Sequence, residues 1–213
     1  MRGACLSCAR LHVTLLPDPH RARFRFECTV EQNAGVRAAA WHYDIPADRP
    51  EVENEQAWDG EGKLATRLAQ RNASTTRMEI SFRAPAAGAG PYTFCYEFDA
   101  PVRAVAAAGP FSRTIAYSGW VIFRIPCRVL RVSVALPARS AIIKTVPGAE
   151  VADRPRAAPE IGYRFEKLRP LEAAQWLVGY RGRKLGVPLA VWLATQLTAG
   201  VIGWLVGAAL SPR

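Results

Sequence analysis

Hydrophobic residues fall at every second position through most of the first 180 residues; then the alternation stops and a continuous apolar run takes over. Residues 10–16 place Leu11, Val13 and Leu15 on one face. Residues 22–31 place Phe24, Phe26, Cys28 and Val30 on one face and Arg23, Arg25, Glu27 and Thr29 on the other. Period two with one apolar side marks half-buried strands. Asn33-Ala34-Gly35 supplies turn chemistry, and Trp41, Tyr43 and Ile45 share the next face. Met78, Ile80 and Phe82 alternate within 75–83, a Gly/Pro/Ala-rich turn fills 84–91, and Tyr92, Phe94, Tyr96 and Phe98 align after it. Beyond Pro101, 115–125 and 128–136 are β-rich around Pro126, with Leu130, Val132, Val134 and Leu136 facing inward. Segments 141–146, 163–168 and 173–180 are further strands. Lys63 to Gln70 is the one soluble stretch that reads as a helix. Nine or ten short strands without an internal repeat predict an all-β fold: an antiparallel β-sandwich, or two small ones in tandem.

The final run, 185–210, contains no charged side chain. At about 1.5 Å per residue it reaches roughly 39 Å, enough to cross a bilayer core with some tilt, so a transmembrane helix is expected there. Arg181, Arg183 and Lys184 precede it closely and Arg213 alone follows. Positive charge on the near side places the body in the cytoplasm, and residues 1–20 hold no apolar stretch suited to a signal peptide. The expectation is a tail-anchored, single-pass protein. Thr195, Ala199, Gly203 and Gly207 recur every four residues, with Gln196 and Gly200 beside the same stripe. Small residues let helices approach closely in lipid, and a glutamine there needs a partner. Gln196, Ala199, Gly200, Gly203 and Gly207 are therefore the expected helix–helix contact, with a second copy or another protein.

Charge refines this picture. The net charge of +10 is unevenly spread. Residues 47–62 hold six acids (Asp48, Glu51, Glu53, Glu55, Asp59, Glu61) and one base, Arg49, leaving 27 bases and 12 acids elsewhere. A basic body beside a membrane is drawn to anionic lipid headgroups. The bases are scattered through alternating strands rather than clustered, which argues against nucleic acid. The acids lie in a connection of about thirty residues, 46–74, and loops that long are usually functional or disordered. Asp48, Glu51, Glu53, Glu55, Asp59 and Glu61, with Trp58 among them, are the candidate partner-binding residues. Trp58 marks recognition if exposed and packing if folded back.

Catalytic chemistry is not legible. Cys5 and Cys8 form a CxxC without a second ligand pair, short of a four-ligand zinc site. His12, His20 and His42 are dispersed, and alternation turns His42 outward. Gly60-Glu61-Gly62-Lys63 lacks the spacing of a phosphate loop, and Asn72-Ala73-Ser74 is a sequon that matters only outside the cell. No catalytic residue, metal or cofactor is expected. The competing idea, a membrane-tethered hydrolase or transferase using the 48–61 acids, has no nucleophile–base pair to support it.

Cys28, Trp41 and Cys95 have about the spacing of the immunoglobulin fold's cysteine, tryptophan, cysteine pattern, and residues 90–95 (Gly-Pro-Tyr-Thr-Phe-Cys) resemble its tyrosine-corner strand with one residue inserted. The resemblance implies an Ig-like sandwich. The insertion puts Cys95 with Thr93 and Glu97, away from the aromatic face, whereas Cys28 lies with the phenylalanines. A Cys28–Cys95 bridge, which the family pattern implies, would fit a receptor- or adhesion-type ectodomain, the alternative to a cytoplasmic module. Residues 125–180 are similar to sandwich modules of uncharacterised prokaryotic single-span membrane proteins, in Val132 to Pro137, Tyr163 to Leu168, Pro170-Leu171-Glu172 and Trp176 to Tyr180. The domains expected are a tail (1–9), a first sandwich (10–100), a second β-rich module or continuation (101–182) and the membrane helix (185–210). The function expected is binding.

Overall fold

The computed structural model describes residues 5–16, 20–31, 40–47, 49–72, 74–82, 91–108, 112–138, 140–152 and 159–183. It is all-β over these residues, with fourteen strands and a single 3-10 turn at Arg49–Glu51. The strands are β1 (Cys5–Leu15), β2 (Arg21–Glu31), β3 (Ala40–Ile45), β4 (Glu53–Asp59), β5 (Gly62–Asn72), β6 (Thr75–Ser81), β7 (Tyr92–Pro101), β8 (Arg103–Ala108), β9 (Ser112–Ile122), β10 (Cys127–Ala135), β11 (Ala141–Val146), β12 (Glu150–Ala152), β13 (Glu160–Leu168) and β14 (Ala173–Arg183). One sheet has the order β12-β13-β10-β1-β2-β7-β4-β5-β6-β3, the other β11-β14-β9-β8. Among the described residues no helix is long and apolar enough to cross a membrane. The expected helix at 185–210, with its contact residues Gln196, Ala199, Gly200, Gly203 and Gly207, lies outside the described residues, as does Asp48.

Three boundaries differ from the sequence reading, each for a physical reason. First, β1 starts at Cys5, inside the expected tail. A bulge between Leu6 and Cys8 offsets the ladder by one residue, so Leu6 and Ala9, three apart, both point inward and are fully buried. Second, the expected 46–74 loop carries β4 and β5. Third, Lys63 to Gln70 is strand, not helix. The first three residues of β5 pair with β4 (Leu64 with Ala57, Gly62 with Asp59) and the rest with β6 (Ala65 with Ser81, Leu68 with Met78). Leu64, Thr66 and Leu68 share the inner face of β5, but Thr66 is polar and Ala65 and Ala69 sit on the outer face, so the hydrophobic alternation is lost in the sequence. Helix-favouring Lys, Leu, Ala, Arg and Gln are overridden by pairing on both sides.

Because β5 changes partners midway, the long sheet folds over on itself. The β5-β6-β3 part lies across the inner face of β2 and β7. Aromatics fill the space between: Phe26 stacks on Tyr96 at 4.6 Å, Tyr43 of β3 meets Phe26 at 4.9 Å, and Trp41 meets Phe94 edge-on at 5.5 Å. Such pairs add about 0.5–1.5 kcal/mol each beyond the apolar area they bury. The four-stranded sheet covers the neighbouring part of the same face. Trp176 of β14 approaches Tyr163 of β13 at 6.5 Å, and the Tyr163 hydroxyl donates to the Leu177 carbonyl at 3.1 Å. One hydrophobic core runs from Leu6 to Tyr180. Strands of both sequence halves share the long sheet, since β1 pairs in parallel with β10.

Cys28 and Cys95 sit on adjacent strands but opposite faces. Cys28 opposes Phe94 and is buried, and Cys95 opposes Glu27 on the outer face. Both are free thiols, and the bridge implied by the Ig resemblance would require a one-residue slip of β7 against β2.

The small sheet depends on one close approach. Gly119 of β9 opposes Trp176 of β14, and a β-carbon at 119 would lie 2.4 Å from the indole. The indole is buried and has nowhere to retreat. Gly119→Ala is expected to destabilise the fold by about 1–3 kcal/mol, read as a lowered denaturant midpoint at unchanged slope. An unchanged midpoint would show that the ring is free to move.

Candidate functional site

The acidic segment is held by its neighbours. Glu53 pairs with Arg21 at 3.0 Å, and Arg21 also donates to the Glu51 carbonyl at 3.2 Å. Asp59 accepts from the Tyr92 hydroxyl at 2.7 Å and from the Glu61 N–H at 2.9 Å, fixing the β4–β5 turn. Trp58 is half-buried on the outer face with the Arg25 guanidinium 5.3 Å from its ring centroid, a cation–π contact rather than an open recognition residue. Glu55 is half-buried where β4 bulges between Glu53 and Gln56. Asn54, in that bulge, adopts φ 54° and donates to Asp99 at 2.8 Å. Asp99 also takes a two-pronged contact from Arg23 at 2.8 and 3.0 Å. Those hydrogen bonds hold its carboxyl below the ordinary range despite burial. The structure thus turns the acidic stretch into a strand between β7 and β5 whose polar groups fasten it to β2 and β7.

Two other surfaces stand out. The first is a cleft of about 370 Å³ between β3 and the end of β9. At its base Asp44 of β3 accepts from Arg77 of β6 at 2.9 Å, from Arg124 at 2.8 Å, and from Arg71 of β5. Burial works to raise the Asp44 carboxyl, but the Arg77 and Arg124 hydrogen bonds outweigh it and hold the pKa below the ordinary value. Arg124 lies between β9 and β10, so this carboxylate ties the β3-β6-β5 layer to the four-stranded sheet. At the mouth sit Trp120, 41% exposed, and Leu171, 69% exposed. Leu171 is held at φ 65°, a left-handed conformation costly for a branched side chain, while its N–H donates to the Phe123 carbonyl at 2.8 Å.

The second surface is a hollow of about 720 Å³ on the outer face of the long sheet, over β1, β2, β10 and β13. His12 lies in it, its Nδ1 2.5 Å from the Ser133 hydroxyl and 3.7 Å from Glu160. His42 is elsewhere, on the solvent side of β3, 3.8 Å from Glu79. Among the described residues no group of three or more His, Cys, Asp or Glu is placed to hold a metal ion. Sequence reading missed both surfaces. Alternation puts Arg10, Arg131 and Arg164 on polar faces, but which of them become neighbours depends on register. Trp120 carried a signal, as a large aromatic on the polar side of β9.

No family model and no curated protein matches the sequence. Solved structures do resemble the fold. The leukotriene A4 hydrolase of yeast, in complex with bestatin, superposes with a TM-score of 0.53 at 9% identity, over 84% of this chain and 29% of its own. An M1 zinc metallopeptidase from Deinococcus radiodurans gives 0.50 at 13% identity, over 84% of this chain and 43% of its own. A substrate-bound mutant of that peptidase gives 0.51 at 12% identity, over 83% and 43%. These likenesses concern the fold alone: an all-β architecture that also occurs within larger metallopeptidases. The chain spans well under half the length of each.

Asp44 gives a pH-dependent prediction. Its folded pKa is depressed, so its contribution is present above the unfolded value of about 3.9 and lost as pH falls through the lower folded value. Asp44→Asn is expected to cost roughly 1–2 kcal/mol at pH 7, allowing for solvent screening of Arg71 and Arg124. That difference should shrink in denaturant melts as pH falls below about 4, the ordinary aspartate value. A difference independent of pH would mean the carboxylate charge is not what joins the layers.

Proposed function

We propose that this protein is a non-catalytic β-sandwich interaction module, tethered to a membrane by residues 185–210, that docks a protein partner at the Asp44 cleft. The observation that carries the docking site is the pairing of Trp120 and Leu171, both exposed, at the mouth of a cleft flanked by Arg71 and Arg124. Tryptophan and arginine dominate the energetics of protein interfaces. A leucine held in strained backbone and turned to solvent is a stability cost that a binding role repays. The cleft lies beside the start of β14, whose eleven residues end at Arg183, just before the apolar run. At about 3.3 Å per residue the strand is roughly 35 Å long, so the cleft lies at the opposite end of β14 from Arg183. Flanking positive charge supports a cytoplasmic body, and the stripe of Gln196, Ala199, Gly200, Gly203 and Gly207 supports pairing of the tether with a second helix.

A second reading follows from the structural neighbours. Each is a larger hydrolase or peptidase of which this fold covers less than half, so the docked partner would be a metallopeptidase domain.

A photo-crosslinking residue replacing Trp120 in the full chain, in its native membranes, tests the proposal. A discrete adduct is expected at 120 and none at exposed Thr93, with mass spectrometry of the adduct deciding whether a peptidase is the partner. Leu171→Gly is expected to raise stability by roughly 1 kcal/mol by relieving the left-handed leucine, and to lower adduct yield. No adduct at 120, or the same adducts at both positions, would overturn the docking site.

A further inference from the structure

The outer face of the long sheet brings three arginines into one row. Across the ladder Arg164 of β13 opposes Arg131 of β10, Arg131 opposes Arg10 of β1, and Arg10 opposes Glu27 of β2. All three arginines are exposed on the same face. Like charges directly opposite one another destabilise a sheet, and two of the three are neutralised locally. Arg10 pairs with Glu27 at 3.2 Å and Arg164 with Glu166 at 2.7 Å. Arg131, between two other guanidinium groups, has no carboxylate partner among the described residues.

The row beside it has two small side chains at its centre. Gly162 opposes Ser133, and Ser133 opposes His12. This leaves the hollow open along the arginine row. Gly162 is not demanded by the backbone. It lies in regular strand, and a β-carbon there would meet nothing nearer than the Glu150 carbonyl at 3.7 Å. Glycine inside a strand costs stability and often marks the close approach of a ligand. An unmatched arginine and an unneeded glycine therefore adjoin in one hollow.

We infer that this hollow binds a phosphate monoester. Neighbouring strands are about 4.8 Å apart, so the Arg131 fork and the N–H groups of Arg10 and Arg164 that their glutamates leave over can converge on a single group. A planar carboxylate occupies one fork, whereas the three terminal oxygens of a phosphoryl group engage several. Glu150 lines the other side of the hollow and Glu160 sits by His12, which suits a ligand whose remainder carries hydroxyl or amino donors. The phosphate can belong to a small soluble ester or to a lipid headgroup. This site is separate from the Asp44 cleft and does not depend on it.

The test uses the full chain in nanodiscs of neutral phosphatidylcholine, titrated calorimetrically with glycerol 3-phosphate, and a parallel set of nanodiscs containing phosphatidic acid. Saturable binding of glycerol 3-phosphate is expected. Arg131→Gln should weaken it at least tenfold without loss of thermal stability, because Arg131 holds no ion pair to break. Gly162→Val should weaken it similarly while thermal stability is kept or raised. Arg128→Gln, which removes an arginine paired to Glu31 on the same sheet, should leave binding within twofold. If phosphatidic acid in the disc competes with the soluble ester, the phosphate source is a lipid; if it does not, the source is soluble. The inference is overturned by no saturable binding, by unchanged binding in Arg131→Gln and Gly162→Val, or by an equal loss in Arg128→Gln.

Discussion

The parallel pairing of β1 with β10 is the constraint on which the rest of the molecule depends. It joins segments about 120 residues apart, from Leu6 with Cys127 to Thr14 with Ala135. Parallel pairs need a long crossover, and here the crossover is most of the protein: β2 through β9. Because β1 and β10 are neighbours, Leu11 and Val13 line up with Val132 and Val134 on the inner face, all fully or almost fully buried. The same register sets Arg10 beside Arg131 and His12 beside Ser133 on the outer face. A slip of one residue would turn both sets over. The core and the hollow are two sides of one alignment.

What the sequence made legible is the face of each strand. Phe24, Phe26 and Cys28 inward, Cys95 outward, and Leu130 to Leu136 inward all follow from period two, because a side chain's face is a local property. What it hid are features that local pattern cannot encode. β5 shows no hydrophobic alternation in sequence because polar Thr66 faces inward between Leu64 and Leu68 while Ala65 and Ala69 face out, so its propensities suggest a helix. β1 loses its first half to the Leu6–Cys8 bulge. The 46–74 segment looks like a long acidic loop because β4 is an exposed, bulged strand whose acids are spent on Arg21, Tyr92 and turn geometry. The Asp44 hub joins β3, β5, β6 and the β9–β10 connection, four segments whose meeting is a tertiary fact. The arginine row required the cross-strand register of β13, β10 and β1, no part of which is local.

Stability and function divide along the same lines. Where charge is matched, as at Asp99 with Arg23 and Asn54 or at Asp44 with its three arginines, the side chains bind one strand to another and secure the architecture shared with larger metallopeptidases. Where a local rule is broken, at left-handed Leu171, at Trp120 on an open face, at Arg131 between two arginines and at Gly162 in regular strand, the cost is not repaid within the described fold. Sites that depart from local consistency without internal compensation are where function is expected. Two such sites lie on separate faces of the fold, and they are the two surfaces proposed to bind.

The measurement that bears most directly on this account is the register of β1 against β10. In protein with selectively labelled Leu and Val methyl groups, nuclear Overhauser contacts should link Leu11 with Val132 and Val13 with Val134. Contacts of Leu11 with Val134 and of Val13 with Val132 would mean an antiparallel pair. Either that pattern or a shifted one would separate Arg10 from Arg131, removing the arginine row together with the alignment of the core.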